Sequence, residues 1–370
     1  AEAKGVLDVA TAEERDESVT GTVLKAIANV LLDRPDDALK ELSNPKIGNN
    51  SDAPIWRAMA HASQGQWPRA REEFKKVEVG MGALPIELQR VTKREYLRCS
   101  IEVRDFAGAS SLLNDFETLG VPPEMAPSME VLTGRVEEGL GHTADALAAY
   151  RLAAASSNRR YAAQGQLRDI ALRQRLGDLK RADVISQLEE LTTAWRGDET
   201  EAEGLQILAH LYTQEKRARD AFHVMRTALL AHPNSDLTRK IQDEAARTFD
   251  SLFMGDAGDA MPAIEALGLF YDYRDLTPIG RRGDEMIRRL ADRLVAVDLL
   301  DQAAELLQHQ VDHRLEGAAR AQVATKLATI YLMDRKPDFA LAALQKTRVS
   351  DLAGDLRDQR LLLESRALSE

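Results

Sequence analysis

AEGLQILAHLYTQEKRARDAFHVMRTALLAHP, running from Ala202 to Pro233, holds two amphipathic helical patterns back to back. In the first, Leu208, Ala209 and Tyr212 fall on one face; in the second, Ala221, Met225 and Ala228 do so at spacings of four and three. The small residues let two helices approach closely, and the larger ones fill the groove beside them. Polar residues separate the two patterns, and Pro233 stops the second. A pair of antiparallel helices joined by a tight turn is expected.

The second pattern recurs along the chain as Ala3/Leu7/Ala10, Ala38/Leu42, Ala70/Phe74/Val77, Ala109/Leu113/Phe116 and Ala146/Tyr150/Ala153. It returns as Ala263/Leu267/Phe270, Ala303/Leu307 and Ala340/Leu344, with a degenerate copy starting at Ala182. From Ala3 to Ala340 the mean period is about 37 residues, the range of helical-repeat arrays. The first pattern precedes several copies by about a dozen residues, as Leu290-Ala291 with Leu294 and Leu327-Ala328 with Tyr331. Short polar turns such as Gln64-Gly65-Gln66, Leu140-Gly141-His142 and Leu176-Gly177-Asp178 join the two helices of a pair. Trp56 and Trp67 flank one turn and read as packing residues.

These residues resemble the tetratricopeptide repeat (TPR) signature, W-x-x-L-G-x-x-Y…A-x-x-x-F…P. The resemblance implies an all-α fold, an α-solenoid in which antiparallel TPR-like helix pairs form a right-handed superhelix. It implies one continuous array over residues 1–370, of about nine to ten units, less regular at 156–198 and 235–285. Ala1–Ala10 reads as a second helix without its first, and Arg360–Glu370 as a first helix without its second. A chain starting and ending mid-repeat is expected, similar to the interior of long bacterial TPR proteins. Some of those are exported, so the likeness implies periplasm or cell envelope, with the cytoplasm as the alternative.

Composition agrees with closely packed helices. Of 370 residues 44% are hydrophobic and only 5% aromatic, so the core is built mostly from Leu, Ala, Ile and Val. Twelve prolines and 22 glycines are too few for a many-turned sandwich or barrel. A net charge of −11 argues against a broad nucleic-acid surface, while leaving room for a local basic patch. No run approaches the ~18 apolar residues of a membrane span. Cys99, the single cysteine, rules out an internal disulfide and reads as a buried thiol.

No enzyme motif emerges, and no catalytic residue or cofactor is expected. Gly139-Leu140-Gly141-His142-Thr143-Ala144 matches a loose dinucleotide fingerprint, but the preceding residues are helical by pattern where a strand is required. His309 and His313 share a helix face near Asp312, but lack the further ligands of a zinc site, so no metal is expected. Asp256-Ala257-Gly258-Asp259 lacks the alternating oxygen ligands of a calcium loop.

The function expected from the resemblance is a protein-interaction scaffold that binds a protein or peptide, with self-association left open. The alternatives are the non-catalytic helical part of a larger cell-envelope enzyme, or a self-assembling structural array. The carboxylate clamp of chaperone-binding TPR proteins is not reproduced, because Ile55, Met59, Gln206, His210, Thr325 and Thr329 stand at the corresponding positions. The stretch Phe270–Arg282 concentrates aromatic and arginine residues, types enriched at interface hot spots. Tyr271, Tyr273, Arg274, Arg281 and Arg282 are the candidate partner-binding residues. In the competing reading the tyrosines pack on neighbours and the arginines pair with Asp272, Asp275 or Asp284.

Overall fold

The computed structural model describes Gly5, Asn50, Leu352 and residues 19–47, 52–255, 261–278, 280–349 and 354–370. The Ala3 copy and the Asp256–Asp259 loop lie outside these residues. Among the described residues all regular structure is helical, with 20 α-helices and short 3₁₀ turns at Pro45–Ile47 and Arg274–Leu276.

One turn chemistry repeats. Asp33, Gly65, Arg104, Gly141, Gly177, Lys216, Asp298 and Arg335 all have φ between 56° and 88°, the left-handed region. At each, the left-handed residue's N–H donates to the carbonyl three residues back, and the next N–H to the carbonyl five back. Gly141 thus bonds Glu138 at 3.1 Å and His142 bonds Glu137 at 2.9 Å; Lys216 and Arg217 bond Thr213 and Tyr212 at 3.1 and 2.9 Å. This double closure satisfies the last carbonyls of the first helix. In seven of the turns the residue after the left-handed one accepts the first bond of the second helix, as His142 does from Ala146 and Arg217 from Ala221, both at 3.0 Å. The donating alanine then lies five residues beyond the left-handed residue. Ala38, Ala70, Ala109, Ala146, Ala221, Ala303 and Ala340 all stand there, fully buried.

Two expected copies are out of register. Ala182 is exposed: the turn at Gly177 runs two residues longer, Lys180 accepts from Val184 at 3.1 Å, and Val184 and Leu188 are the buried pair. In the copy expected at Ala263, Pro262 accepts from Ala266 at 3.0 Å, so the stripe is Ala266, Phe270 and Tyr273.

The chain divides into two compact units, residues 1–187 and 188–370. Unit 1 holds α1 (Val19–Leu31), α2 (Pro35–Leu42), α3 (Ala53–Ser63), α4 (Trp67–Lys76), α5 (Glu78–Met81), α6 (Ile86–Glu102), α7 (Phe106–Leu119), α8 (Ala126–Leu140), α9 (Thr143–Ala154) and α10 (Arg159–Leu176). The boundary falls within α11 (Arg181–Ala194). Unit 2 holds α12 (Glu199–Gln214), α13 (Ala218–Ala231), α14 (Asp236–Phe253), α15 (Ala263–Asp272), α16 (Arg281–Ala296), α17 (Leu300–His313), α18 (Gly317–Met333), α19 (Pro337–Lys346) and α20 (Asp355–Ser369). Through most of each unit, a helix packs on the next, and the first helix of a pair packs on the first helix of the following pair. That is solenoid packing, with neighbour-only contacts.

Cores follow the stripes. In unit 1 Trp56, Phe74 and Tyr96 are buried, with Phe74 and Tyr96 stacked at 5.2 Å. The fully buried Tyr150 ring lies on Gly134 of α8, and Gly165 of α10 lies against the Tyr150 carbonyl. Ion pairs join residues about one repeat apart, including Arg135–Glu102 at 2.9 Å, Lys346–Asp312 at 2.8 Å and Arg314–Asp284 at 2.7 Å. In unit 2, Arg360 of α20 is buried and donates to the carbonyls of Ala321 (2.8 Å), Leu344 (2.7 Å) and Thr347 (3.2 Å). It also reaches the hydroxyls of Thr325 and Thr347. The Leu344 and Thr347 carbonyls belong to the negative end of α19, which stabilises the guanidinium there.

Candidate interaction surface

Because Pro262 sets the register of α15, Phe270 and Tyr273 take the second and third positions of the buried stripe. Their rings join an aromatic cluster from three helices and the following turn. Phe222 and Phe249 stand 4.3 Å apart, Phe222 and Tyr273 5.5 Å, Phe249 and Phe253 5.5 Å, and Phe253 and Phe270 6.5 Å. The Arg226 guanidinium caps Tyr273 at 4.7 Å from the ring centre, a cation–π contact. Of the five candidate residues, Tyr273 is therefore core.

Tyr271 points the other way. It is 38% exposed, with its ring edge-on to Phe270 at 5.9 Å. Partial burial, then the charge of Glu305 and a hydrogen bond to its carboxylate, raise the Tyr271 hydroxyl above the usual phenol value. Arg274 is exposed in the 3₁₀ turn that follows. Arg281 is exposed at the start of α16, while Arg282 holds Asp250 of α14 with two bonds, at 2.8 and 2.6 Å. Two of the three acids named for these arginines are engaged elsewhere: Asp272 by Arg219, and Asp284 by Arg314.

α17 brings His309 and His313 alongside. Both are exposed, with ring centres 5.0 Å apart and tilted by 54°. Partial burial and then the charges of His313, Arg274 and Arg314 hold His309 below the usual imidazole value, with Asp312 opposing. Arg274 therefore acts on His309 across about one repeat of sequence. Asp312 is occupied by Gln308 at 2.7 Å and Lys346 at 2.8 Å. The structure thus gathers Tyr271 and Arg274 with the His309/His313 pair, and sets Tyr273 in the core and Arg282 on Asp250. The sequence carries a signal for this grouping, since residues one period apart lie side by side in a stacked repeat.

Other candidates resolve locally. Gly139, Gly141 and Ala144 belong to the α8–α9 hairpin, so the loose fingerprint is a helix–turn–helix. Beside it Glu137, His142 and Asp145 place one donor atom each within 4.8 Å of one another, a set able to ligate a divalent cation. His142 and Asp145 are exposed, and His142 Nδ1 contacts Glu137 Oε2 at 2.7 Å. Of the positions compared with the clamp, Ile55, Met59 and Thr325 are buried, and Thr325 receives Arg360. Cys99 is buried, and burial pushes its thiol up. No helix of the described residues is long and apolar enough to cross a membrane.

No protein-family model matches the chain, and no curated protein does. Among solved structures, it is similar to a tetratricopeptide repeat protein from Parabacteroides merdae, at 14% identity over 85% of this chain and 99% of that one, with a TM-score of 0.26. It is similar also to the human IFIT1 dimer with m7Gppp-AAAA (12% identity, 99% and 93% of the two chains, TM-score 0.41). A third likeness is to the APC/C hetero-tetramer Cut9–Hcn1 (13% identity, 99% and 86%, TM-score 0.29). By its own turns and helix pairs, the chain is an all-α helical-repeat protein of tetratricopeptide-like hairpins.

Proposed function

We propose that this chain is a non-catalytic scaffold, a continuous helical-repeat array that binds a protein or peptide through the surface of Tyr271, Arg274, His309 and His313. The observation that carries the reading is an exposed tyrosine hydrogen-bonded to Glu305, one turn before the exposed His309/His313 pair on α17, with the charge of exposed Arg274 bearing on His309. Tyrosine supplies contact area at little entropic cost, and arginine a planar fork of directed hydrogen-bond donors, and both types are enriched at interface hot spots. Tyr273 and Arg282 support the site: one anchors the turn in the core, the other ties α16 to α14.

The test is site-specific photocrosslinking in the source cell, with the crosslinker in place of Tyr271 or His309 and a control in place of Val79, which is 95% exposed on unit 1. A discrete adduct from 271 and 309 but not from 79, weakened about tenfold or more by Arg274→Ala, is expected. Equal adducts from all three positions, or none, would overturn the reading.

A further inference from the structure

The α8–α9 hairpin carries at its turn a donor set that the scaffold reading leaves unused. Glu137 stands in the last turn of α8, His142 immediately before α9, and Asp145 in the first turn of α9. One ligand atom from each lies within 4.8 Å of the other two, and His142 Nδ1 is 2.7 Å from Glu137 Oε2. The backbone fixes where the three side chains start. The His142 N–H donates to the Glu137 carbonyl at 2.9 Å, and the His142 carbonyl accepts from Ala146, beside Asp145, at 3.0 Å. Ala146 is fully buried, so α9 is anchored directly after the third donor. The turn itself does not demand these residues. Seven hairpins share its closure, so the residues four before, one after and four after the left-handed one are equivalent in each. Elsewhere these triplets read, for example, His61/Gln66/Arg69 and Tyr212/Arg217/Asp220, and none of the other six combines an imidazole with a carboxylate.

We propose that Glu137, His142 and Asp145 form a binding site for a divalent transition-metal cation of the zinc class. Zinc takes imidazole nitrogen and carboxylate oxygen at about 2.0–2.2 Å in a tetrahedron, which sets the ligand atoms about 3.4 Å apart. The Nδ1–Oε2 pair opens by less than about 1 Å to reach that spacing, and the exposed His142 and Asp145 side chains are free to close on the ion. The ion replaces the hydrogen bond between His142 and Glu137, and the two carboxylates balance its charge. Glu138 is turned to Arg175 and to the Tyr150 hydroxyl, both at 2.6 Å, so three protein ligands leave a fourth position to water or to a partner's side chain. An imidazole with two carboxylates suits neither calcium, which takes six to eight oxygens, nor magnesium, which demands a near-ideal octahedron of them.

The test is isothermal titration calorimetry of the full, untagged chain, freed of metal by a chelator, with zinc chloride and, separately, calcium and magnesium chloride. One zinc per chain is expected, with calcium and magnesium at least about tenfold weaker. His142→Ala and the isosteric Glu137→Gln/Asp145→Asn are each expected to weaken zinc binding by about tenfold or more. Zinc should also raise the melting temperature of the unaltered chain and not that of His142→Ala, because an ion held only by the folded hairpin stabilises it. Circular dichroism and melting without metal establish that each variant is folded. Absence of a saturable zinc isotherm, zinc affinity indifferent to both variants, or tighter binding of calcium or magnesium would each overturn the proposal. So would loss of the zinc in His309→Gln/His313→Gln, which would place the ion on α17.

Discussion

The ring of Tyr150 rests directly on the backbone of Gly134, so that a β-carbon at position 134 would overlap the ring. Tyr150 is fully buried and its hydroxyl is held by Glu138 at 2.6 Å, so the ring has no room to retreat. Gly134→Ala should gain up to ~1 kcal/mol in helix propensity and lose about 1–3 kcal/mol to overpacking. A net loss of stability in urea unfolding is the expected outcome, and a more stable variant would refute the contact.

The left-handed turns predict the opposite sign elsewhere. Arg104 and Lys216 are exposed and adopt φ of 62° and 58°, which costs an L-residue about 1–2 kcal/mol. Glycine removes that strain at some entropic cost in the unfolded chain, so Lys216→Gly and Arg104→Gly should each stabilise by about 0.5–1 kcal/mol. Denaturation midpoints decide it. Destabilisation by both variants would mean these side chains contribute more than their backbones cost.

Arg360 fastens α20 to α18 and α19 through carbonyls and hydroxyls. Arg360→Leu leaves those acceptors buried and unmet, at about 1–3 kcal/mol. Hydrogen exchange should show α20 amides losing protection first. Lysine should not rescue it, because its point charge cannot span the separated acceptors. Unchanged protection in α20 would count against the assignment.

Two imidazoles set an acid limit. Burial first, then Arg69, holds His61 below the ordinary imidazole value; burial first, then His313, does so for His309. The unfolded chain therefore takes up protons at these sites more readily than the folded one. Their contribution is fully present above the unfolded value of about 6.5 and is lost as pH falls through the lower folded values. His61→Gln/His309→Gln should show a smaller fall in melting temperature between about pH 7.5 and about pH 5. An identical fall in both proteins would remove these two residues from the account.

Much of the architecture is legible in the sequence because alanine and a large residue four later recur at a nearly fixed interval. The two register errors have plain causes. Ala263/Leu267 and Ala266/Phe270 satisfy the same spacing, and only the capping proline decides between them. At Ala182 the two added residues Leu179 and Lys180 move the stripe, which spacing alone does not reveal. The first error hid the burial of Tyr273, since in the correct register it is the third stripe position. Five turns were not announced by glycine, because Asp, Arg and Lys adopt the left-handed conformation there. The grouping of Tyr271 with His309 is tertiary, and the repeat period was its only trace.

The hairpin turn has a consequence for how such a chain can change over time. In seven turns a single residue closes one helix and opens the next, so the alanine follows the left-handed residue at an invariant distance. Consecutive left-handed residues from Asp33 to Lys216, by contrast, are 32 to 39 residues apart. The variation in spacing is therefore carried by the paired helices, which run from 8 residues in α2 to 18 in α10, and by the connections between hairpins. An inserted residue inside a turn would rotate the following helix by about 100° and carry its alanine out of the seam. The turns act as the fixed gauge of the chain, and an insertion within a helix end or a connection leaves that gauge intact.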